Sequence, residues 1–140
     1  MEFLKRIFRR QEPAQSKIEI RGAGRLLWDD QEQYWIGSYN GVRLSVAYDG
    51  FSEPPEDFSD FIARSLSRPG LVEEIVMAAK EEAITRYPKE LHHEIDRFVA
   101  KEIVFQGLNF ILVQFFGAHD HEPFWFCELH GDKIYVGRDT

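Results

Sequence analysis

The spacing of apolar residues changes period twice along this 140-residue chain. Residues 1–11 set Phe3, Leu4, Ile7 and Phe8 on one stripe at a 3.6-residue period, with Lys5, Arg6, Arg9 and Arg10 off it. That pattern predicts a short basic amphipathic helix. Residues 12–17 contain Pro13 and read as a linker, so the expected organisation is an N-terminal segment with linker (1–17) followed by one domain (18–140).

From Ile18 the pieces become short and extended, at 17–21, 25–28 and 34–39, with Gly22, Gly24 and the polar stretch 29–33 as breaks. Asn40-Gly41 joins 34–39 to 42–48 and predicts a hairpin, because both central residues of a type I′ turn need positive φ. In the second arm Val42, Leu44, Val46 and Tyr48 alternate with Arg43, Ser45, Ala47 and Asp49, so one face is buried and the other is wet or meets polar groups.

The helical period then takes over. Pro54-Pro55 opens a helix carrying Phe58, Phe61, Ile62, Ser65 and Leu66, and Pro69-Gly70 closes it. A second helix over 71–87 points Val72, Ile75, Val76, Ala79, Ala83 and Ile84 inward and Glu73, Glu74, Glu81 and Glu82 outward. Beyond Pro88, Leu91, Ile95, Phe98 and Val99 predict one more short helix. Strands return at 102–106, 109–116, 124–130 and 133–136, with Gly107 and Gly131-Asp132 at the turns. Residues 109–116 are apolar on both faces, which predicts a central strand covered on both sides. The expected fold is α+β: antiparallel sheet strands before and after a central block of two or three helices packed on one sheet face.

Charge narrows the partners. The formal net charge is −7, yet residues 1–10 hold four cations against Glu2, +3, leaving −10 for the remainder. An acidic body disfavours general nucleic-acid binding and favours a basic protein partner, or simply serves solubility. The basic segment 1–11 suits peripheral contact with an anionic membrane surface; docking on its own domain or on a second subunit is the alternative. Cys127 has no second cysteine to pair with, and no stretch is apolar enough to span a bilayer, so the expected address is the cytoplasm. Burial inside an aromatic run makes a catalytic role for that thiol a poor expectation.

Candidate chemistry lies in two places. His119-Asp120-His121-Glu122 carries imidazoles at i and i+2, and with Glu128 and His130 these suit a divalent metal; a plain polar loop is the competing reading. Along 124–130, alternation sets Phe124, Phe126, Glu128 and His130 on one face and Trp125, Cys127 and Leu129 on the other. His92-His93-Glu94 reads as surface, since neighbouring helical positions cannot jointly clasp a metal. No phosphate-cradling glycine loop, nucleophile elbow or paired-cysteine site is present. The second place is acidic: Asp29, Asp30 and Glu32 in one polar stretch, and Glu53, Glu56, Asp57 and Asp60 at a helix start, where the helix dipole accounts for part of them. Arg43, on the wet face of its strand, borders them.

Residues 28–46 (WDDQEQYWIGSYNGVRLSV), the helical middle and the closing hairpin 128–137 (ELHGDKIYVG) resemble small bacterial α+β domains of unknown function, some of them immunity proteins that neutralise toxins. The resemblance covers residues 18–137 and brings no catalytic residues with it. With the charge pattern, the expected function is a non-enzymatic, immunity-like protein-interaction domain that engages a basic or neutral protein partner through its acidic surface, with no cofactor expected. The runner-up reading is a small-ligand or metal-dependent enzyme built on His119, His121, Glu128 and His130. A homodimer through the aromatic strands is the third.

Overall fold

A computed structural model describes residues 17–48, 53–116 and 124–139. Four strands come first: β1 (Lys17–Ile20), β2 (Gly24–Asp29), β3 (Tyr34–Tyr39) and β4 (Val42–Val46). Helices α1 (Glu56–Leu66) and α2 (Leu71–Arg86), a 3-10 turn (Lys89–Leu91) and the single turn α3 (His92–Ile95) follow. Strands β5 (Val99–Gly107), β6 (Phe110–Phe116), β7 (Phe124–His130) and β8 (Lys133–Asp139) complete the chain. The fold is α+β.

All eight strands form one sheet in sequence order. Two antiparallel meanders meet at β4 and β5, which run parallel with Leu44 opposite Ile103 and Val46 opposite Phe105. The expected antiparallel sheet is therefore a mixed one, for a connectivity reason. Parallel neighbours need a long crossover, and the helical block between β4 and β5 supplies it. Local turn chemistry behaves as expected: Asn40 and Gly41 both take positive φ, 49° and 80°.

The helices cover one sheet face. Leu26, Trp35, Leu44, Val46, Ile103, Phe105, Val113, Phe115, Trp125, Cys127 and Val136 point into that layer and are buried. Phe61 of α1 meets Phe105 edge-on at 5.9 Å, and Phe98 stacks on Phe115 at 4.5 Å. Ala79 and Ala83, one turn apart on α2, are fully buried and allow the helix backbone to approach the sheet. Ile84, expected inward, is instead exposed, because it sits about 100° round the helix from Ala83.

Two strand expectations change. The third helix is shorter than its apolar spacing implied, ending at Ile95, and β5 begins at Val99 rather than at 102. Strand β6 lies third from one edge, and the side opposite Ile111, Val113 and Phe115 is not fully covered. Phe110, Leu112 and Gln114 there are half-buried, so β6 is not enclosed on both sides by described elements.

Candidate interaction surface

The second sheet face carries no helix among the described residues, and its side chains fall in rows set by strand register. One row runs Lys17, Leu27, Ile36, Ser45, Val104, Leu112, Glu128, Tyr135 from β1 to β8. The next runs Ser38, Arg43, Glu102, Gln114, Phe126, Gly137 from β3 to β8. The composition is unusual for a solvated face. Leu27 is 56% exposed, Tyr135 44% and Phe124 41%, while Ile36, Leu112 and Phe126 are half-buried beside them. Large apolar groups are thus interleaved with charged ones.

A polar cluster sits at the centre of this face, where the two meanders join. Ser45 is fully buried, and its hydroxyl donates to Glu102 Oε2 at 2.5 Å. Arg43 Nη2 donates to Glu32, and its buried Nε lies 3.1 Å from Glu102 Oε2 without the alignment of a hydrogen bond. Glu102 is thereby held between a hydroxyl and a guanidinium. Nearby, Gln106 Nε2 donates to the Tyr34 hydroxyl at 3.1 Å. Parallel pairing creates this arrangement, because it sets Arg43 opposite Glu102 and Ser45 opposite Val104.

Of the expected metal ligands, Glu128 and His130 lie on this face. His130 Nε2 and Glu128 Oε2 are 3.2 Å apart, and the imidazole ring leans on Phe110 at 4.7 Å. His119 and His121 lie outside the described residues, and among the described residues no group of three or more histidine, cysteine, aspartate or glutamate side chains is arranged to hold a metal ion. The 1–11 segment also lies outside them. No described helix is long and apolar enough to cross a membrane.

The expected acidic surface divides. Asp29 Oδ1 accepts the backbone amides of Gln31 and Glu32, both at 3.0 Å, so this carboxylate shapes its own turn. Asp30 accepts weakly from Trp28 Nε1 at 3.4 Å, and Glu32 is held by Arg43. Glu53, Glu56, Asp57 and Asp60 are exposed and form no ion pair among the described residues. The fold gathers the two groups. Trp35 opposite Val46 puts the β2–β3 turn at the end of the sheet where β4 exits, and Tyr48, just past that exit, packs on Phe58 in the first turns of α1.

The helical side holds a groove of about 300 Å³ between α2 and the β6–β7 pair. Leu71, Ile75, Ile111 and Leu129 form its floor, while Arg68, Glu74 and Asp132 stand at the rim. Arg68 and Glu74 are spent on each other at 2.7 Å.

One cluster was missed in the sequence. Glu94 of α3, expected at the surface, is 9% exposed and accepts from Trp125 Nε1 and from Arg138. Burial by itself would raise its pKa. Hydrogen bonds from Trp125 and Arg138, with the charges of Arg138 and His93, outweigh that and hold it below its usual range. A signal was present, since Glu94 stands three residues after Leu91 and four before Phe98, on the apolar stripe. Cys127 is fully buried, and desolvation pushes its thiol up to about 12, with the Glu128 charge adding to the rise against a backbone hydrogen bond with Val113. Comparisons with protein-family models, with curated proteins and with solved structures find no match to this chain.

Proposed function

We propose that this domain works without catalysis, by binding another protein on the open face of its sheet. The observation that carries the reading is that Leu27, Phe124 and Tyr135 stand more than two-fifths exposed among charged groups, on a sheet face no described helix covers. Exposed apolar side chains interleaved with charge characterise protein contact surfaces more than solvated ones. The acidic end, with Asp30, Glu53, Glu56, Asp57 and Asp60, lies beside that face and favours a basic partner by long-range attraction. The resemblance of residues 18–137 to immunity-like bacterial domains supports the same reading, and a single buried thiol suits the reducing cytoplasm.

A photo-crosslinking residue placed in turn at Tyr135, at Phe126 and, on the outer surface of α2, at Met77 tests it inside cells. Adducts of defined mass from the two sheet positions and none from Met77 are expected. Equal labelling at all three, or none at the sheet positions, overturns the reading.

A further inference from the structure

Resting on that reading of the open face, we infer that in the absence of its partner the face is covered by a second copy of this chain, packed sheet against sheet about a two-fold axis parallel to the strands at the β4–β5 seam. Sequential strand order makes the consequences definite. Such an axis lays β4 on the second copy's β5, β3 on its β6, β2 on its β7 and β1 on its β8.

Register then decides which side chains meet. Arg43 and Glu102 are directly paired across the seam, so each falls over the other's symmetry mate. One strand further out in the same row, Ser38 falls over Gln114, and in the neighbouring row Ile36 falls over Leu112. Charge meets opposite charge, polar meets polar and apolar meets apolar. Matching of this kind under a two-fold operation is what an isologous interface requires. At the outer edge Lys17 falls over Tyr135, whose ring already holds the Arg86 guanidinium of its own chain 4.8 Å from its centre, so this contact adds packing and not a new cation–aromatic pair. Beside the axis Ser45 falls over Val104, polar against apolar but both already buried, and further out Leu27 over Glu128 is a second mismatch in that row. The crossing angle of about 30° between packed sheets relaxes alignment there, far from the axis.

The area is of the order an interface needs, with most of it supplied away from the axis, since Ser45 and Val104 beside it are already buried. Seven inter-strand spacings of about 4.8 Å by strands of about 20 Å give a face on the order of 700 Å². A stable interface needs about 800 Å² of accessible surface from each partner, and a corrugated face presents more than its flat projection. Charge also divides along the sheet. Lys17, Arg25 and Arg43 face outward from β1, β2 and β4 against Glu19 and Asp29, a small net positive charge, whereas Glu102, Glu128 and Asp139 face outward from β5, β7 and β8 against Lys133, a net negative one. The axis brings the cationic half of one copy onto the anionic half of the other. The opposing effect is repulsion between two chains of net charge −7, which salt screens beyond about 8 Å while contacts at the face persist.

Light scattering on the eluting full-length protein at about 100 µM tests the inference, with twice the 16.4 kDa chain mass expected. Ile36→Glu and Leu112→Lys, each checked for native circular dichroism and cooperative melting, should each weaken self-association about 30-fold or more, the effect of losing a central anchor. Mixing the two variants should restore a dimer, because opposite charges then face each other on one side of the axis. Monomer throughout the concentration range, a dimer indifferent to both substitutions, or variants that do not recover on mixing would each overturn it. If the chain is monomeric yet the sheet positions still cross-link to a foreign protein, the binding reading stands and the second copy alone falls.

Discussion

Arg138 on β8 and Glu94 in α3 meet through two parallel contacts, Nε to Oε1 and Nη2 to Oε2, both at 3.2 Å. Trp125 Nε1 donates to the same Oε1 at 3.0 Å. This bidentate pair ties the short helical turn after α2 to the last strand of the sheet. It also gives a carboxylate on an apolar stripe the donors that burial requires.

Glu94→Gln or Arg138→Met should therefore lower stability at pH 7 by about 2–4 kcal/mol, towards the lower figure because Arg138 retains some solvent contact. Urea unfolding measures it. The pH dependence follows from a folded pKa held below the ordinary 4.5. The ion pair's contribution is fully present above that ordinary value and is lost as pH falls through the lowered folded one. Wild type and Glu94→Gln should differ most at neutral pH and converge in acid; a difference that grew as pH fell would contradict this account.

Gly137→Ala should destabilise the β7–β8 hairpin by about 1–3 kcal/mol through overpacking. An added Cβ would stand 2.3 Å from Phe126 Cζ, because that ring lies flat on the glycine backbone across the strand pair. The cost should shrink when Gly137→Ala is combined with Phe126→Ala. Four melting curves completing the cycle give the coupling, and additive effects would show the ring is not the obstacle.

Cys127 should be silent to thiol reagents in the native protein at pH 8 and react at once in denaturant. Its thiol is fully buried and raised to about 12. The sign on stability is a loss on the alkaline side: nothing below about pH 9, then a decline as pH rises toward 12, since the folded state resists ionisation that the unfolded chain allows. Rapid labelling of the folded protein would show that β7 opens far more readily than its packing implies.

Charge reversal at Asp30, Glu53, Glu56, Asp57 and Asp60 should slow association with the protein captured from the open face and flatten its salt dependence, leaving the dissociation rate nearly unchanged. Loss of the favourable helix-dipole interaction at Glu56 and Asp57 adds only about 0.3–1 kcal/mol of destabilisation each, which a melting curve separates from the kinetic effect. An unaltered association rate would remove steering from the acidic end.

Much of the architecture is legible in local pattern because local physics sets it. The Asn40-Gly41 hairpin, the start of α1 after Pro55 and the Pro69-Gly70 break before α2 each depend on φ preferences that operate within a few residues. The two faces of β7 are equally readable, since strand alternation admits only one partition of Trp125 and Cys127 from Phe126 and Glu128. Partnership is another matter. Arg43 and Asp29 look alike as charged surface residues, and only the fold shows that one holds Glu32 and Glu102 and the other caps its turn.

By itself, then, the sequence determined the α+β class, the element order, which side of most strands is buried and the acidic character of the body. Each of these follows from periodicity, turn chemistry or composition. Tertiary structure alone decided that β4 and β5 run parallel, that Ser45, Arg43 and Glu102 converge at their seam, that Glu94 is buried against Arg138, and that the second sheet face is left open by the described helices. Those outcomes depend on contacts between residues 44 to 59 positions apart, whose pairing is chosen by the packing of the whole chain and not by the preferences of either segment.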